Sequence, residues 1–186
     1  PPYNTIGSLR TGKFAKYFHQ QGHDVRVVTV KPLSLPDDLV LEIPETQVYP
    51  SRHININFLP ELVAGGKKDV TVKGYSSGST IINKLGRLYK EFFNVPDDAV
   101  GWIPYGLRKG LAVTKDWKPD LIYASATPYS SLIIAANLSK RLDVPWLAEF
   151  RDLWVGNQTR KHTKLRQAID MVMEKLTLKR ACAIVT

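Results

Sequence analysis

The second half of the chain alternates short aliphatic runs with segments of helical period, and this alternation restricts the possible folds more than any other feature. The aliphatic runs are residues 120–125 ("DLIYAS"), 145–150 ("PWLAEF") and the closing "AIVT" of residues 183–186. Residues 129–142 and about 164–180 lie between them, with apolar residues at three- and four-residue steps. Strands that alternate with helices in this way form parallel sheets. We therefore predict an α/β fold with a Rossmann-like parallel sheet and helices on both faces.

The part of the chain before residue 120 contains three further segments of helical period and one clear strand. Residues 9–21 predict a helix that Gly22 caps in a left-handed conformation, and residues 24–30 ("DVRVVTV") predict the strand that follows. Residues 80–93 and 102–117 predict two more helices.

Residues 31–80 give a weaker pattern, because five prolines interrupt the short apolar stretches. Only short strands near Val40 and Val48 are predicted there. The stretch "AGGKKDVTVKGYSSGS" at residues 64–79 has the composition of an excursion loop.

Length and composition restrict the class of protein. The chain has 186 residues, a size suited to one domain with a single core. Its formal charge of +9 favours phosphorylated ligands, polyanions and anionic membrane surfaces, without choosing among them. The single cysteine, Cys182, excludes an intrachain disulfide and lies in an apolar run, so we predict a buried thiol and a reducing compartment. No apolar run reaches the roughly 18 residues that a membrane-spanning helix needs.

The common motifs of hydrolases and metalloenzymes are missing from the sequence. The histidines do not have the spacing of metal ligands. The chain has no Ser-His-Asp order, C-x-x-C pair or H-E-x-x-H motif. Both classes of enzyme are therefore disfavoured.

Ligands of doubly wound folds collect beyond the carboxyl ends of the strands, where loops and helix N-termini meet. Three segments of this chain are predicted to lie there. In the first, Gly7 and Ser8 directly precede a predicted helix, so their backbone amides are suited to a phosphate. Arg10 and Lys13 add positive charge. An ordinary loop in which Ser8 caps the helix explains the same residues.

The second segment is the strand-to-helix turn at residues 124–131 ("ASATPYSS"). The hydroxyls of Thr127 and Ser130 are predicted to contact a ligand at the rim of the crevice. Simple capping of the following helix by either residue is equally compatible with the sequence.

The third segment, residues 149–152 ("EFRD"), places three charges at the end of a predicted buried strand. An unpaired buried charge is strongly unfavourable, so each charge must meet a partner, water or substrate. One interpretation makes Arg151 a phosphate contact or a loop anchor, and Asp152 an acceptor for sugar hydroxyls. The other is an internal arginine–carboxylate pair that only anchors the loop.

Five blocks of the sequence, taken in order, resemble the N-terminal domain of GT-B glycosyltransferases of the family 4 type. The blocks are "PPYNTIGSLRTGKFAKYFHQQGHDVRVVTV", "PDDAVGW", "PDLIYASATPYSS", "VPWLAEFRDLW" and "LTLKRACAIVT". The resemblance implies that residues 1–186 form one half of a GT-B fold, the acceptor-side Rossmann-like domain. It also implies that this piece lacks a first strand before Pro1 and a C-terminal donor-binding domain.

The resemblance also assigns roles to candidate residues. Gly7 and Ser8 match the family's glycine turn near the donor diphosphate, with Ser8 in place of the usual second glycine. We group Arg10 with them as donor-binding. Asp152 is the candidate catalytic residue, on the acceptor side. The candidate substrate contacts are Thr127, Ser130 and Arg151.

The function that the resemblance implies is transfer of a sugar, with retention, from a nucleotide-diphosphate sugar to a glycan or lipid-linked acceptor. The donor is a substrate, and neither a cofactor nor a metal is expected. The protein is expected to be cytoplasmic, peripheral at the inner face of the membrane, where a basic run contacts anionic headgroups. A solvated helix face is the simpler explanation of that run, which consists of Arg160, Lys161, Lys164 and Arg166.

The alternative function is a non-catalytic basic α/β module that binds nucleic acid or an anionic membrane. Such a module would cluster its cations on one face with interleaved aromatic residues. Here the cations are dispersed along the sequence, so nucleic acid is not an expected partner. A Rossmann oxidoreductase or methyltransferase would need a glycine fingerprint with an acidic residue about 20 positions on, which the chain lacks.

Overall fold

The computed structural model describes residues 6–30, 40–57, 80–157 and 162–186. Five helices and five strands are present in those residues. In chain order they are α1 (Ile6–Gln20), β1 (Val27–Val30), β2 (Val48–Ser51), α2 (Thr80–Phe93), α3 (Ile103–Val113), β3 (Ile122–Ala126), α4 (Ser130–Leu142), β4 (Trp146–Phe150), α5 (Lys164–Leu178) and β5 (Ala183–Val185).

Within the described part of the chain, all of the strand pairings are parallel, and the strands form two small sheets. In the first, β1 pairs with β2, with Val27 opposite Val48. In the second, β4 lies between β3 and β5, with Trp146 opposite Ile122. The predicted α/β fold with parallel strands is confirmed, and the architecture is compatible with a Rossmann-like fold.

Helices cover both faces of the three-stranded sheet. On one face, alternate strand residues such as Ala124 and Ala148 join the buried side chains of α4, including Leu132, in one apolar cluster. On the other face, the Tyr123 ring packs edge-on against Phe14 of α1, at 5.9 Å between ring centroids. The two-residue period of a strand sends its neighbouring side chains to these opposite faces.

Helices α3 and α4 connect the two sheets. Ile134 and Leu138 of α4 pack with Trp102, and Val28 of β1 and Ile122 of β3 pack against the same cluster. The two helices approach closely because α3 carries glycines where they meet. A Cβ atom at Gly106 would lie 2.6 Å from Ile134 Cδ1, and one at Gly110 would lie 2.6 Å from Leu138 Cδ1.

The glycine cap predicted for the first helix is confirmed, although the helix begins three residues early. Gly22 has a φ of 89°. Its N–H donates to the His19 carbonyl at 3.0 Å, and the His23 N–H donates to the Phe18 carbonyl at 3.1 Å. These two bonds satisfy carbonyls that the last helical turn leaves without intrahelical partners.

Three predictions are wrong. Val40, near which a strand was predicted, is 81% exposed, and residues 40–47 contain no strand; residues 31–39 lie outside the described residues. The helix predicted over residues 102–117 ends at Val113. The thiol of Cys182 is exposed, because it immediately precedes β5, an edge strand whose residues are all exposed. The excursion loop at residues 64–79 lies outside the described residues.

The prediction that Arg166 belongs to a basic surface run is also wrong, because its side chain is buried. Its side chain is 2% exposed, and its Nε lies 3.0 Å from Asp170 Oδ2. Its Nη1 and Nη2 donate to the carbonyls of Glu91 and Pro96, both at 2.8 Å. This guanidinium therefore fastens α5 to the end of α2. Of the other three residues of the run, Lys164 is exposed, and Arg160 and Lys161 lie outside the described residues.

No helix in the described ranges is long and apolar enough to span a membrane.

Candidate functional site

The candidate site lies where β3 and β4 end beside each other. The backbone N–H of Arg151 donates to the Ala126 carbonyl at 3.0 Å, which extends the pairing of the two strands by one bond. Arg151 Nη2 then donates to Thr127 Oγ1 at 2.7 Å. Two of the predicted substrate contacts are thus brought together at the carboxyl edge of the sheet, where ligands of α/β folds bind.

The first turn of α1 lies directly against Arg151. A Cβ atom built on Gly7 would be 2.5 Å from Arg151 Nη1, closer than non-bonded atoms approach. Only glycine therefore permits this position of the guanidinium. The N-terminus of a helix is itself a positive pole. The guanidinium and the helix end both favour an anion at the same place.

Gly7 and Ser8 are in the helix, not in a turn before it, because α1 begins at Ile6. The hydroxyl of Thr11 donates to the carbonyls of both residues, at 3.0 and 3.3 Å. The predicted boundary is corrected, but the chemistry is similar, since amides in the first helical turn have no acceptor within the helix.

Arg10, predicted to add positive charge for a phosphate, contacts Glu149. Arg10 Nη2 forms an ion pair with Glu149 Oε1, and the Tyr123 hydroxyl donates to Glu149 Oε2. The Glu149 side chain is 1% exposed. Burial, together with the hydrogen bond to Glu149, raises the pKa of Tyr123, so its hydroxyl remains a donor. This arrangement supplies the partners that the buried charge requires.

Lys13, the other cation near the predicted helix start, is paired elsewhere. Its ammonium group bonds to the Glu42 carboxylate. That hydrogen bond raises the pKa of Lys13 and lowers the pKa of Glu42. The structure therefore does not place Lys13 with Gly7 and Arg151.

Asp152 lies at the solvent-facing rim of the site. Its side chain is 49% exposed, and its Oδ2 lies 3.3 Å from Arg151 Nε. Arg151 thus has one side toward Asp152 and another toward Thr127 and Gly7. The carboxylate remains accessible to hydroxyl donors in solution, and its catalytic role stays a prediction.

The loop after β4 is held firmly, which fixes the positions of Arg151 and Asp152. The Tyr129 ring stacks on Trp154 at 5.1 Å between centroids, and the Tyr129 hydroxyl donates to the Leu153 carbonyl at 2.7 Å. Trp154 Nε1 donates to Asp170 at 3.3 Å. Trp154, which follows the charged segment, and Tyr129, on which it stacks, therefore belong to the core and anchor the loop.

Ser130, a predicted ligand contact, is bonded within the protein instead. It is fully buried, and both its backbone N–H and its hydroxyl donate to Asp97, at 3.1 and 2.6 Å. Asp97 also accepts from the Ala99 N–H at 3.1 Å. Burial raises the pKa of Asp97. The Asp97 carboxylate, from another loop, thus accepts the hydrogen bonds at the start of α4. The alternative drawn from the sequence was capping of this helix by a local hydroxyl.

Sequence analysis missed the roles of Glu149, Tyr123 and Asp97. The signal for Glu149 was its place in a buried strand, which required a partner, but the pattern did not identify Arg10 and Tyr123. For Asp97, the sequence offered only one signal of a role, the dipeptide Asp97-Asp98 after a proline. Within the described part of the chain, no group of three or more His, Cys, Asp or Glu side chains is arranged to hold a metal ion.

Comparisons with protein-family models, curated protein sequences and solved structures each found no match to this chain. The site is therefore interpreted from its own geometry.

Proposed function

We propose that this chain is the N-terminal, acceptor-side domain of a retaining GT-B glycosyltransferase. The observation that carries the proposal is the approach of Gly7 to the Arg151 guanidinium at the carboxyl ends of β3 and β4. Two positive groups, a helix N-terminus and a guanidinium, lie side by side there, and the Asp152 carboxylate contacts the guanidinium from its Nε side. A diphosphate group has the charge and the hydrogen-bond acceptors to fit that place.

In this mechanism the domain stabilises the leaving group. As the bond between the sugar and the diphosphate breaks, negative charge grows on the diphosphate oxygens. The amides of the first turn of α1 have no acceptor within the helix, and the Arg151 guanidinium lies beside that turn, so in this mechanism both donors are in place before the charge develops. Thr127 fixes the guanidinium through its hydrogen bond to Nη2.

Asp152 has the accessibility needed on the acceptor side. Its half-exposed carboxylate can accept a hydrogen bond from an acceptor hydroxyl and so hold that hydroxyl in position for attack. Arg151 keeps this carboxylate close to the diphosphate position. The remaining donor contacts, including those to the sugar and base, are proposed to come from a second domain.

The proposed acceptor is a glycan or a lipid-linked sugar at the cytoplasmic face of a membrane. On α5, Lys164 and Lys175 are exposed, as are Lys179 and Arg180 directly after the helix. Cations on such a surface contribute roughly 1 kcal/mol each near anionic headgroups. The alternative, a module that binds nucleic acid, is less well supported, because Arg10, Lys13 and Arg166 are engaged by carboxylates of the protein itself.

The test is a transfer assay on the protein expressed from its complete open reading frame. Release of nucleoside diphosphate is measured with a panel of nucleotide sugars and lipid-linked acceptors. We expect Arg151→Ala to lower kcat by about 100-fold or more, because it removes a donor to the leaving group. Arg141→Ala is the matched control, since Arg141 is an exposed arginine in the last turn of α4 and outside the site. Equal activity of the two variants, or no release with any donor, would reject the proposal.

A further inference from the structure

A cavity lies beside the edge strand β2, and its lining does not include Gly7 or Arg151. It has a volume of about 370 Å³ and is open to solvent along one side of α3. Small-molecule sites generally begin at about 300 Å³, so the cavity is large enough for a phosphorylated headgroup. We call it the β2–α3 groove. Its lining includes Ser51, Arg52, Tyr105, Arg108, Lys109 and Ala112.

Helical spacing brings the α3 residues of the groove together. Tyr105, Arg108 and Lys109 lie three and four positions apart and share one face of the helix. The opposite side of α3 carries Gly106 and Gly110, which pack against α4. The cationic face is therefore directed away from the core by the same packing that joins the two helices.

Helix α3 runs antiparallel to β2, and residues of both elements line the groove. Trp102 Nε1, just before α3, donates to Ser51 Oγ at 2.7 Å. At the far end of the helix, Arg26 Nη1 donates to the Val113 carbonyl at 3.5 Å. Arg52 directly follows the last residue of β2, so it enters the groove from the strand side.

The described lining of the groove is cationic. Among the described residues, that lining contains Arg52, Arg108 and Lys109 and no carboxylate. None of these three forms an ion pair with any residue in the described ranges. Cations elsewhere in the fold, such as Arg10 and Arg166, are paired with buried carboxylates. Three like charges in one groove repel each other, and an anion bound between them relieves that repulsion.

We propose that the β2–α3 groove binds a phosphate group, in the form of a phosphomonoester or diphosphate ester. A guanidinium presents two parallel N–H donors that match two phosphate oxygens, and the groove offers two such groups, Arg52 and Arg108. Lys109 adds a point charge. The Tyr105 hydroxyl adds a neutral donor. This site is independent of the proposed glycosyl transfer, since it shares no residue with the site at Gly7 and Arg151.

The first test is a titration of the ¹⁵N-labelled protein with inorganic pyrophosphate at low salt, followed by amide chemical shifts in α3. We expect saturable shifts at Tyr105 and Lys109. The double variant Arg108→Ala/Lys109→Ala should weaken this binding at least about tenfold, because charge-assisted hydrogen bonds to the anion are lost. The control is Lys115→Ala/Lys118→Ala, which removes the same charge from two exposed lysines after α3.

Further variants separate failure of the site from failure of folding and from the other proposal. Arg52→Ala changes an exposed residue beyond the strand end and should weaken binding without affecting α3. Arg151→Ala should leave the α3 shifts unchanged, whatever becomes of sugar transfer. Circular dichroism confirms that each variant is folded.

The source of the phosphate is distinguished with lipid vesicles. Sedimentation is compared for vesicles of phosphatidylcholine with and without phosphatidic acid. Vesicle binding that requires phosphatidic acid and Arg108 with Lys109 assigns the groove to a lipid headgroup. Pyrophosphate binding without vesicle binding assigns it to a soluble ester. Absence of both, or equal binding by the groove variant and its lysine control, would overturn the proposal.

Discussion

At the scale of single residues, the site depends on one missing side chain and on one arginine. Gly7 leaves the space that the Arg151 guanidinium occupies, and Thr127 holds the guanidinium there. Gly7 lies in a regular helix and does not have a positive φ. Glycine is therefore needed there for the close approach of Arg151 and not for the backbone conformation. Its replacement should therefore affect the ligand more than the fold.

We predict that Gly7→Ala weakens pyrophosphate binding at the first turn of α1 by at least about tenfold, because the new Cβ displaces the guanidinium. Stability should change by no more than about 1 kcal/mol, since alanine has the higher helix propensity. Amide shifts in α1 and thermal unfolding measure the two effects. The control is Gly86→Ala in α2. A Cβ there would meet no atom of the described residues within 4 Å, so this variant has only the gain in helix propensity. Unchanged binding in Gly7→Ala would argue against the role of this approach.

Asp97 allows a prediction about pH. Its pKa is raised by burial above the ordinary value of 3.8. Because the folded pKa exceeds the unfolded one, the protonated form favours folding, and this contribution is lost as pH rises through the folded pKa. The free energy of unfolding of wild type minus that of Asp97→Asn should therefore fall as pH rises above about 4. Chemical denaturation at several pH values measures it, and a difference that increases with pH would show the opposite sign of the shift.

Residue identity alone did not reveal these partners. Ser130 lies 33 positions from Asp97, and Arg10 is far in sequence from Glu149. The sequence predicted correctly that a buried Glu149 needs a partner, because burial of a lone charge is costly whatever the fold. Which cation supplies it depends on how α1 crosses the sheet, and a local pattern carries no information about that crossing.

At the scale of helices and strands, periodicity predicted most elements because each buries one face. Helix α4 and strands β3 and β4 form within two residues of the predicted bounds. The prediction was wrong where local pattern and burial disagree. Val40 has strand propensity but is 81% exposed, so it has no apolar surface to pack against.

The contact between α3 and α4 gives a prediction about packing. Gly110→Ala should destabilise the protein by about 1 to 3 kcal/mol, because its Cβ would lie 2.6 Å from Leu138 Cδ1 and overpack the interface. Urea denaturation measures the change. Gly86→Ala again serves as the comparison, since its methyl group would meet no atom of the described residues within 4 Å. In the background of Leu138→Ala, which shortens the partner side chain, the change of Gly110 to alanine should cost less than it does in wild type, and comparison of Leu138→Ala with Gly110→Ala/Leu138→Ala measures this. Equal stability of Gly110→Ala and wild type would mean that the helices separate freely.

At the scale of the whole molecule, the class of fold was predictable and its division into two sheets was not. Alternating strands and helices imply parallel pairing, but they do not determine which strands are neighbours. The burial of Arg166 was also unpredicted, because arginine is rarely buried unless it is paired, and its partners are not visible in the local pattern. Its importance comes from long-range contacts that join α5 to the segment after α2.

Arg166 therefore provides the prediction for the whole molecule. Arg166→Ala should destabilise the fold by about 3 to 5 kcal/mol, because it leaves the buried carboxylate of Asp170 without its cation. The matched control is Arg180→Ala, an exposed arginine just beyond the same helix, which should change stability by less than about 0.5 kcal/mol. Denaturant unfolding of both variants measures the difference. The Asp170 carboxylate also accepts from Trp154, whose ring packs on Tyr129, so the loss should extend to the loop that holds Arg151 and Asp152. If Arg166→Ala unfolds like its control, the buried guanidinium is not what joins α5 to the rest of the fold.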